Sequence, residues 1–99
     1  MLLEQIKALS NDTRMQVMEW LKQPRDNFPH QSHEDPEGVG ICMTHIQQKA
    51  ELSASTASTH LAILQRAGFL TATRIGKWTY FRRNEEVIQS FAQRLQKEL

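Results

Sequence analysis

The chain has 99 residues, 39% of them hydrophobic, and a formal net charge of +1. That size holds one small domain with a modest core and excludes a large multi-domain enzyme. The apolar runs are too short to span a membrane, Met1-Leu2-Leu3 passes at once to Glu4 and Lys7 without a signal-peptide pattern, and one cysteine cannot form an internal disulfide, so a cytoplasmic protein is expected.

Leu2, Leu3, Ile6 and Leu9 recur at helical spacing and predict an amphipathic helix over about residues 2–9. Ser10-Asn11 supplies an N-cap for the next helix, whose first turn carries Asp12 and whose buried face is read as Met15, Val17, Met18 and Leu21, with Trp20 at its edge. Pro24 is expected to stop it. Residues 25–40 lack periodicity and hold Pro29, Pro36, Gly38 and Gly40, which reads as a loop, long for so small a domain. Thr44-His45-Ile46-Gln47 matches a capping box opening a short helix through about Glu51. Leu52-Ser53 then form a tight turn, and Ser53 caps a helix from Ala54 to Ala67 that Gly68 ends in a left-handed conformation, with Phe69 folded back on Leu64. Leu70–Arg74 and Trp78–Arg82 are β-prone runs about an Ile75-Gly76-Lys77 turn, with Trp78 and Tyr80 placed on one face with Leu70 and Ala72 and read as packing the hairpin onto the helices. Asn84 caps a last helix over about residues 85–98, with the stripe Val87, Ile88, Phe91 and Leu95. The predicted fold is mostly α with a small β-hairpin, in the order α-α-α-α-β-β-α. Two short helices joined by a tight turn and followed by a hairpin make a winged helix-turn-helix spanning residues 1–99.

At 100° per residue, Ala57, Leu61 and Leu64 fall on one side of the 54–67 helix and face the core. Ser55, Thr56, Ser58, Thr59, Ala62 and Arg66 fall opposite or on the flanks, with Ser53 at the start and His60 at the core edge, where local bonding is its expected use. A helix whose exposed start is small and hydroxyl-bearing can lie deep in a major groove, its first residues against base edges and phosphates. The charge distribution agrees. Residues 1–49 carry five Lys/Arg against seven Asp/Glu, a net of −2, whereas residues 50–99 carry seven against four, a net of +3. Between Leu52 and Asn84 there is no acidic residue, but there are Arg66, Arg74, Lys77, Arg82 and Arg83, the pattern of a surface facing a polyanion. Arg74 and Lys77 flank the hairpin turn, where they could straddle a phosphate backbone or enter a minor groove.

Three segments carry a resemblance to a known family: Leu9–Arg14; Leu52–Leu64 continued by Ala67-Gly68-Phe69-Leu70; and Arg74–Arg82. Together they resemble the ArsR, or arsenic-repressor-like, winged-helix regulators over nearly the whole chain. The resemblance implies a homodimeric DNA-binding repressor; twofold symmetry would then match a pseudo-palindromic double-stranded operator, and repression would follow by occluding a promoter. The helical wheel and the charge pattern, read by themselves, make Ser53, Ser55, Thr56, Ser58, Thr59, Arg74 and Lys77 the expected DNA contacts, with His60 and Arg66 secondary. The resemblance also implies a dimer interface of the terminal helices through Leu2, Leu3, Ile6, Val87, Ile88, Phe91 and Leu95.

The family's sensing patterns are not intact here. Cys42 stands where a Cys-x-Cys metal pair would begin but Thr44 takes the second position, and the last helix has no histidine. His30, His33, Glu34, Asp35, Cys42 and His45 cluster in sequence about the long loop and are read as a solvated polar segment, so neither metal nor cofactor is expected. The alternatives are a metal- or redox-responsive variant using Cys42 or those histidines, and a winged-helix module for protein contacts. No glycine-rich phosphate loop, metal triad or nucleophile-base pair marks an enzyme.

Overall fold

The computed structural model describes residues 2–30 and 35–99. In chain order the elements are α1 (Leu2–Leu9), α2 (Asp12–Lys22), α3 (Pro24–Asn27), β1 (Ile41–Cys42), α4 (Met43–Ala50), α5 (Ala54–Arg66), β2 (Leu70–Ile75), β3 (Trp78–Arg83) and α6 (Glu85–Glu98). The strands form an antiparallel sheet in the order β1-β3-β2. This is the winged helix-turn-helix that the periodicities predict, enlarged by α3 and β1.

Side chains named in advance as caps do cap. Asn11 Oδ1 accepts from the Arg14 N–H, Ser53 Oγ from the Thr56 N–H, and Asn84 Oδ1 from the Val87 N–H, each satisfying a donor left over by its helix start. α5 ends as expected at Gly68 (φ +91°), with the Phe69 N–H bonded to Leu64 O and the Gly68 N–H to Gln65 O, the paired bonds of a Schellman ending. The core gathers one face of each helix against the sheet: Val17, Met18 and Leu21 from α2, Ile46 from α4, Leu61 and Leu64 from α5, and Phe69, Leu70 and Phe81 from the wing. Ala57 is also buried.

Several expectations need correction. Met15 is 50% exposed, because Val17, Met18 and Leu21 already fill the inward arc of α2. Pro24 ends α2 but also opens the one-turn α3 at its first position, where a missing N–H costs nothing. α4 starts at Met43 with Cys42 as a cap that uses no side-chain bond, so the Thr44 capping box does not form. The reason is β1: Ile41 and Cys42 pair with Phe81 and Tyr80, and that pairing fixes where the chain turns into the helix. Gly40 makes the approach feasible. It lies at φ +110°, and a Cβ there would collide with the Phe81 carbonyl oxygen.

The wing register also differs. Ile75 pairs directly with Trp78 across a two-residue Gly76-Lys77 turn, so Trp78 and Tyr80 share a face with Ile75, Thr73 and Thr71, not with Leu70 and Ala72. Tyr80 is buried, but Trp78 is 48% exposed and does not pack the wing onto the helices.

Candidate nucleic-acid interface

The turn between α4 and α5 is tight because Glu51 takes the left-handed conformation (φ 56°), with its N–H on Gln48 O and the Leu52 N–H on Gln47 O. Ser53 then starts α5. Ser53, Ser55, Thr56, Ser58, Thr59 and Arg66 are all exposed, and Ala57, Leu61 and Leu64 are turned inward, so the helix presents the hydroxyl face that its wheel predicts. These hydroxyls are organised among themselves: Ser53 Oγ donates to Thr56 Oγ1 at 2.9 Å, and Thr59 Oγ1 donates to the Ser55 carbonyl at 3.0 Å. Each hydroxyl oxygen keeps capacity to accept, and its donor can rotate to a phosphate or base acceptor.

His60 is half-buried and its Nδ1 lies 3.1 Å from Arg14 Nη1. Because arginine only donates, Nδ1 accepts and the ring proton of the neutral form belongs on Nε2. Burial first, and the Arg14 charge second, hold this imidazole below its ordinary value of 6.5. The same guanidinium donates from Nε to Ala8 O at 2.6 Å, tying the end of α1 to α5. The local bonding expected of His60 is therefore present, and it links the terminal helix to the hydroxyl-bearing one.

The basic residues of the acid-free stretch separate into two groups. Arg66, Arg74, Lys77 and Arg82 are exposed. Arg74 Nε donates to Gly76 O at 3.0 Å, and Lys77 Nζ lies 5.6 Å from the Trp78 ring centre, so both sit at the wing tip. Arg83 is different: its side chain is 13% exposed, donates to Met18 O at 3.1 Å and pairs with Glu85 at 2.7 Å. Charge counting alone could not separate it from the others; its position beside the α6 cap, two residues before Glu85, was the available signal.

The terminal helices leave apolar surface uncovered. No residue of α6 is fully buried; Val87, Ile88 and Phe91 lean on the core, with Phe91 edge-on to Phe69 at 5.2 Å, while Leu95 lies beyond it. Leu2 and Ile6 are half-buried and Leu3 is 63% exposed. Around the long loop, His30 and His45 line one groove of about 470 Å³ with Phe28 and Lys49, and the buried His45 Nδ1 has no partner. Cys42 is buried and does not line that groove, and His33 and Glu34 lie outside the described residues. Among the described residues no three His, Cys, Asp or Glu side chains come together as a metal site, and no helix is long and apolar enough to cross a membrane.

Comparison with known proteins places this geometry. The chain is 43% identical over 97 residues to the HTH-type transcriptional regulator YbzH of Bacillus subtilis, covering 98% of this chain and 97% of that one. Over 49 residues, half of this chain and 38% of the relative, it is 41% identical to the arsenic resistance transcriptional regulator ArsR1 of Pseudomonas putida. Among solved structures it is similar to a Mycobacterium bovis fragment determined by NMR as a homodimeric winged helix-turn-helix DNA-binding domain of a possible ArsR-family regulator. That likeness has a TM-score of 0.67 at 27% identity and covers 97% of this chain and 78% of that one. The crystal structure of the same fragment matches at the same score and identity, over 92% and 83%. No family profile matches the chain.

Proposed function

The chain belongs to the ArsR family of winged helix-turn-helix transcriptional regulators, and from that premise we propose that it is a dimeric repressor that binds double-stranded DNA and occludes a promoter. The observation that carries this reading is the exposed hydroxyl face of α5 beside a wing whose accessible charges are all positive. In this reading α5 enters the major groove, with Ser55, Thr56, Ser58 and Thr59 against base edges and phosphates and Ser53 holding the helix start. Arg74 and Lys77 contact the backbone alongside, with Arg66 and the Nε2–H of His60 as secondary donors. The uncovered apolar surface of α1 and α6 supports assembly of two copies through Leu2, Leu3, Ile6, Val87, Ile88, Phe91 and Leu95, and the M. bovis domain is described as homodimeric. A twofold dimer would set two α5 helices about 34–36 Å apart, on successive major grooves of a pseudo-palindrome. The reading involves no catalytic step and places the protein in the cytoplasm with the DNA.

Fluorescence anisotropy against DNA from upstream of its own gene, compared with a scrambled duplex across salt, tests the proposal. Preferential binding to the upstream duplex, with affinity falling steeply as salt rises, is expected. Equal, salt-insensitive binding to both duplexes would favour a protein-contact module instead.

A further inference from the structure

Two half-buried polar side chains tie α1 to α5 over long stretches of sequence. Gln5 Nε2, in α1, donates to Ala67 O, the C-cap carbonyl of α5, at 3.3 Å and 62 residues' separation. Arg14, in the first turn of α2, divides its guanidinium between the two helices. Nη1 donates to His60 Nδ1 in α5 at 3.1 Å, across 46 residues. Nε donates to Ala8 O at 2.6 Å and Nη2 to Lys7 O at 3.4 Å, both in α1. The last carbonyls of a helix lack partners within it, and their end of the dipole favours a cation. Here Ile6 O accepts from Ser10 Oγ, Lys7 O from the Ser10 N–H and Leu9 O from the Asn11 N–H, and Arg14 reaches the carbonyl of buried Ala8. The end of α1 is thereby closed by the same side chain that holds α5.

Two anchors define a line. His60 and Ala67 are about 10 Å apart along α5, and the exposed hydroxyls of Ser55, Thr56, Ser58 and Thr59 lie on the stretch that continues beyond His60. Holding both anchors against α1 fixes the direction of the hydroxyl face relative to α1. Building on the dimeric DNA-binding reading above, in which α1 lies at the twofold interface, we propose that Arg14, assisted by Gln5, is a positioning residue that sets the half-site spacing the dimer accepts. Inserting one base pair between half-sites moves one of them by about 3.4 Å and turns it by about 34° around the duplex. A dimer with α5 held to α1 must strain or release that half-site, whereas one whose α5 can pivot follows it. An arginine is suited to the task because its rigid fork serves several acceptors at once, which a single ammonium does not.

The test titrates the full chain with the upstream duplex, its half-sites located by footprinting, and with derivatives one base pair longer or shorter between them. The wild type should lose about tenfold in affinity on either change. Arg14→Lys keeps a cation near the end of α1 but not the fork, and its penalty should shrink to about twofold. Its salt slope should not change, since no phosphate contact is removed. A merely structural role would lower the melting temperature and weaken binding to the three duplexes alike, leaving their ratio as in wild type. Gln5→Leu, which removes the other anchor without a change of charge, decides the matter if Arg14→Lys does not fold. If the wild type prefers the upstream to the scrambled duplex but tolerates altered spacing, or if the folded variant keeps the full penalty, the positioning role is overturned and the DNA-binding reading stands. If the wild type shows no preference for the upstream duplex, both fall.

Discussion

Arg83 belongs by sequence to the basic stretch of the DNA face, yet the structure spends it inside the protein, and Arg83→Ala separates these two roles. The side chain is 13% exposed, donates to Met18 O in α2 and forms two bonds to Glu85 at the start of α6. Losing the part-buried bond to Met18 O costs about 1 kcal/mol. The pair with Glu85, which is 59% exposed, adds about 0.5 kcal/mol after screening by solvent. Losing the packed stem adds about 0.5 kcal/mol. The total of about 2 kcal/mol corresponds to a fall of roughly 10 °C in melting temperature for a chain of this size. Thermal melts by circular dichroism at fixed protein concentration measure that fall, because dimerisation would make the midpoint concentration-dependent. Anisotropy on the folded variant, well below its midpoint, should return the wild-type salt slope. A variant that melts like wild type and loses one unit of slope would instead put Arg83 among the phosphate contacts.

Arg74→Ala with Lys77→Ala should weaken binding to every duplex alike and lower the salt slope by about two; an unchanged slope would remove the wing from the phosphate contacts. Leu95→Asp with Leu3→Asp, at positions outside the core, should give a folded monomer in sedimentation velocity, since a dimer would have to bury those carboxylates unpaired. Stability should fall on acidification in two stages. The His60 imidazole is held below 6.5 by burial and by Arg14, so the unfolded chain takes up its proton first and stability is lost as pH falls below 6.5 towards the folded value. The Glu85 carboxyl is held below 4.5 chiefly by its bonds to Arg83, so its contribution is lost below pH 4.5. Melting across pH with His60→Gln, which keeps an acceptor for Arg14, should abolish the first stage alone.

The parts of this molecule written in local chemistry were legible from its sequence. Asn11, Ser53 and Asn84 cap because a side-chain oxygen and an orphan N–H three residues later are fixed by short-range geometry. The inward set Ala57, Leu61 and Leu64 follows from 100° per residue, and so does the exposed hydroxyl face on the other side. Much of what differs depends on how segments pair. A strand of two residues, Ile41–Cys42, is too short to show a period, and the pairing that creates it also moved the start of α4 away from Thr44. Reading the wing turn as three residues instead of two shifted the register by one, which turned Trp78 and Tyr80 to the wrong face. Counting charge along the chain groups Arg83 with the exposed cations, because its partner, the Met18 carbonyl, lies 65 residues away.

Whether the hydroxyl face of α5 reads DNA is decided by the ratio of affinities for the upstream and scrambled duplexes before and after that face is removed. Ser55, Thr56, Ser58 and Thr59 are replaced together by alanine, with Ser53 kept as the cap; alanine favours the helix, so α5 should survive. The preference should collapse to the common non-specific affinity with little change in salt slope. A preference that persists undiminished would contradict it and move sequence recognition away from α5.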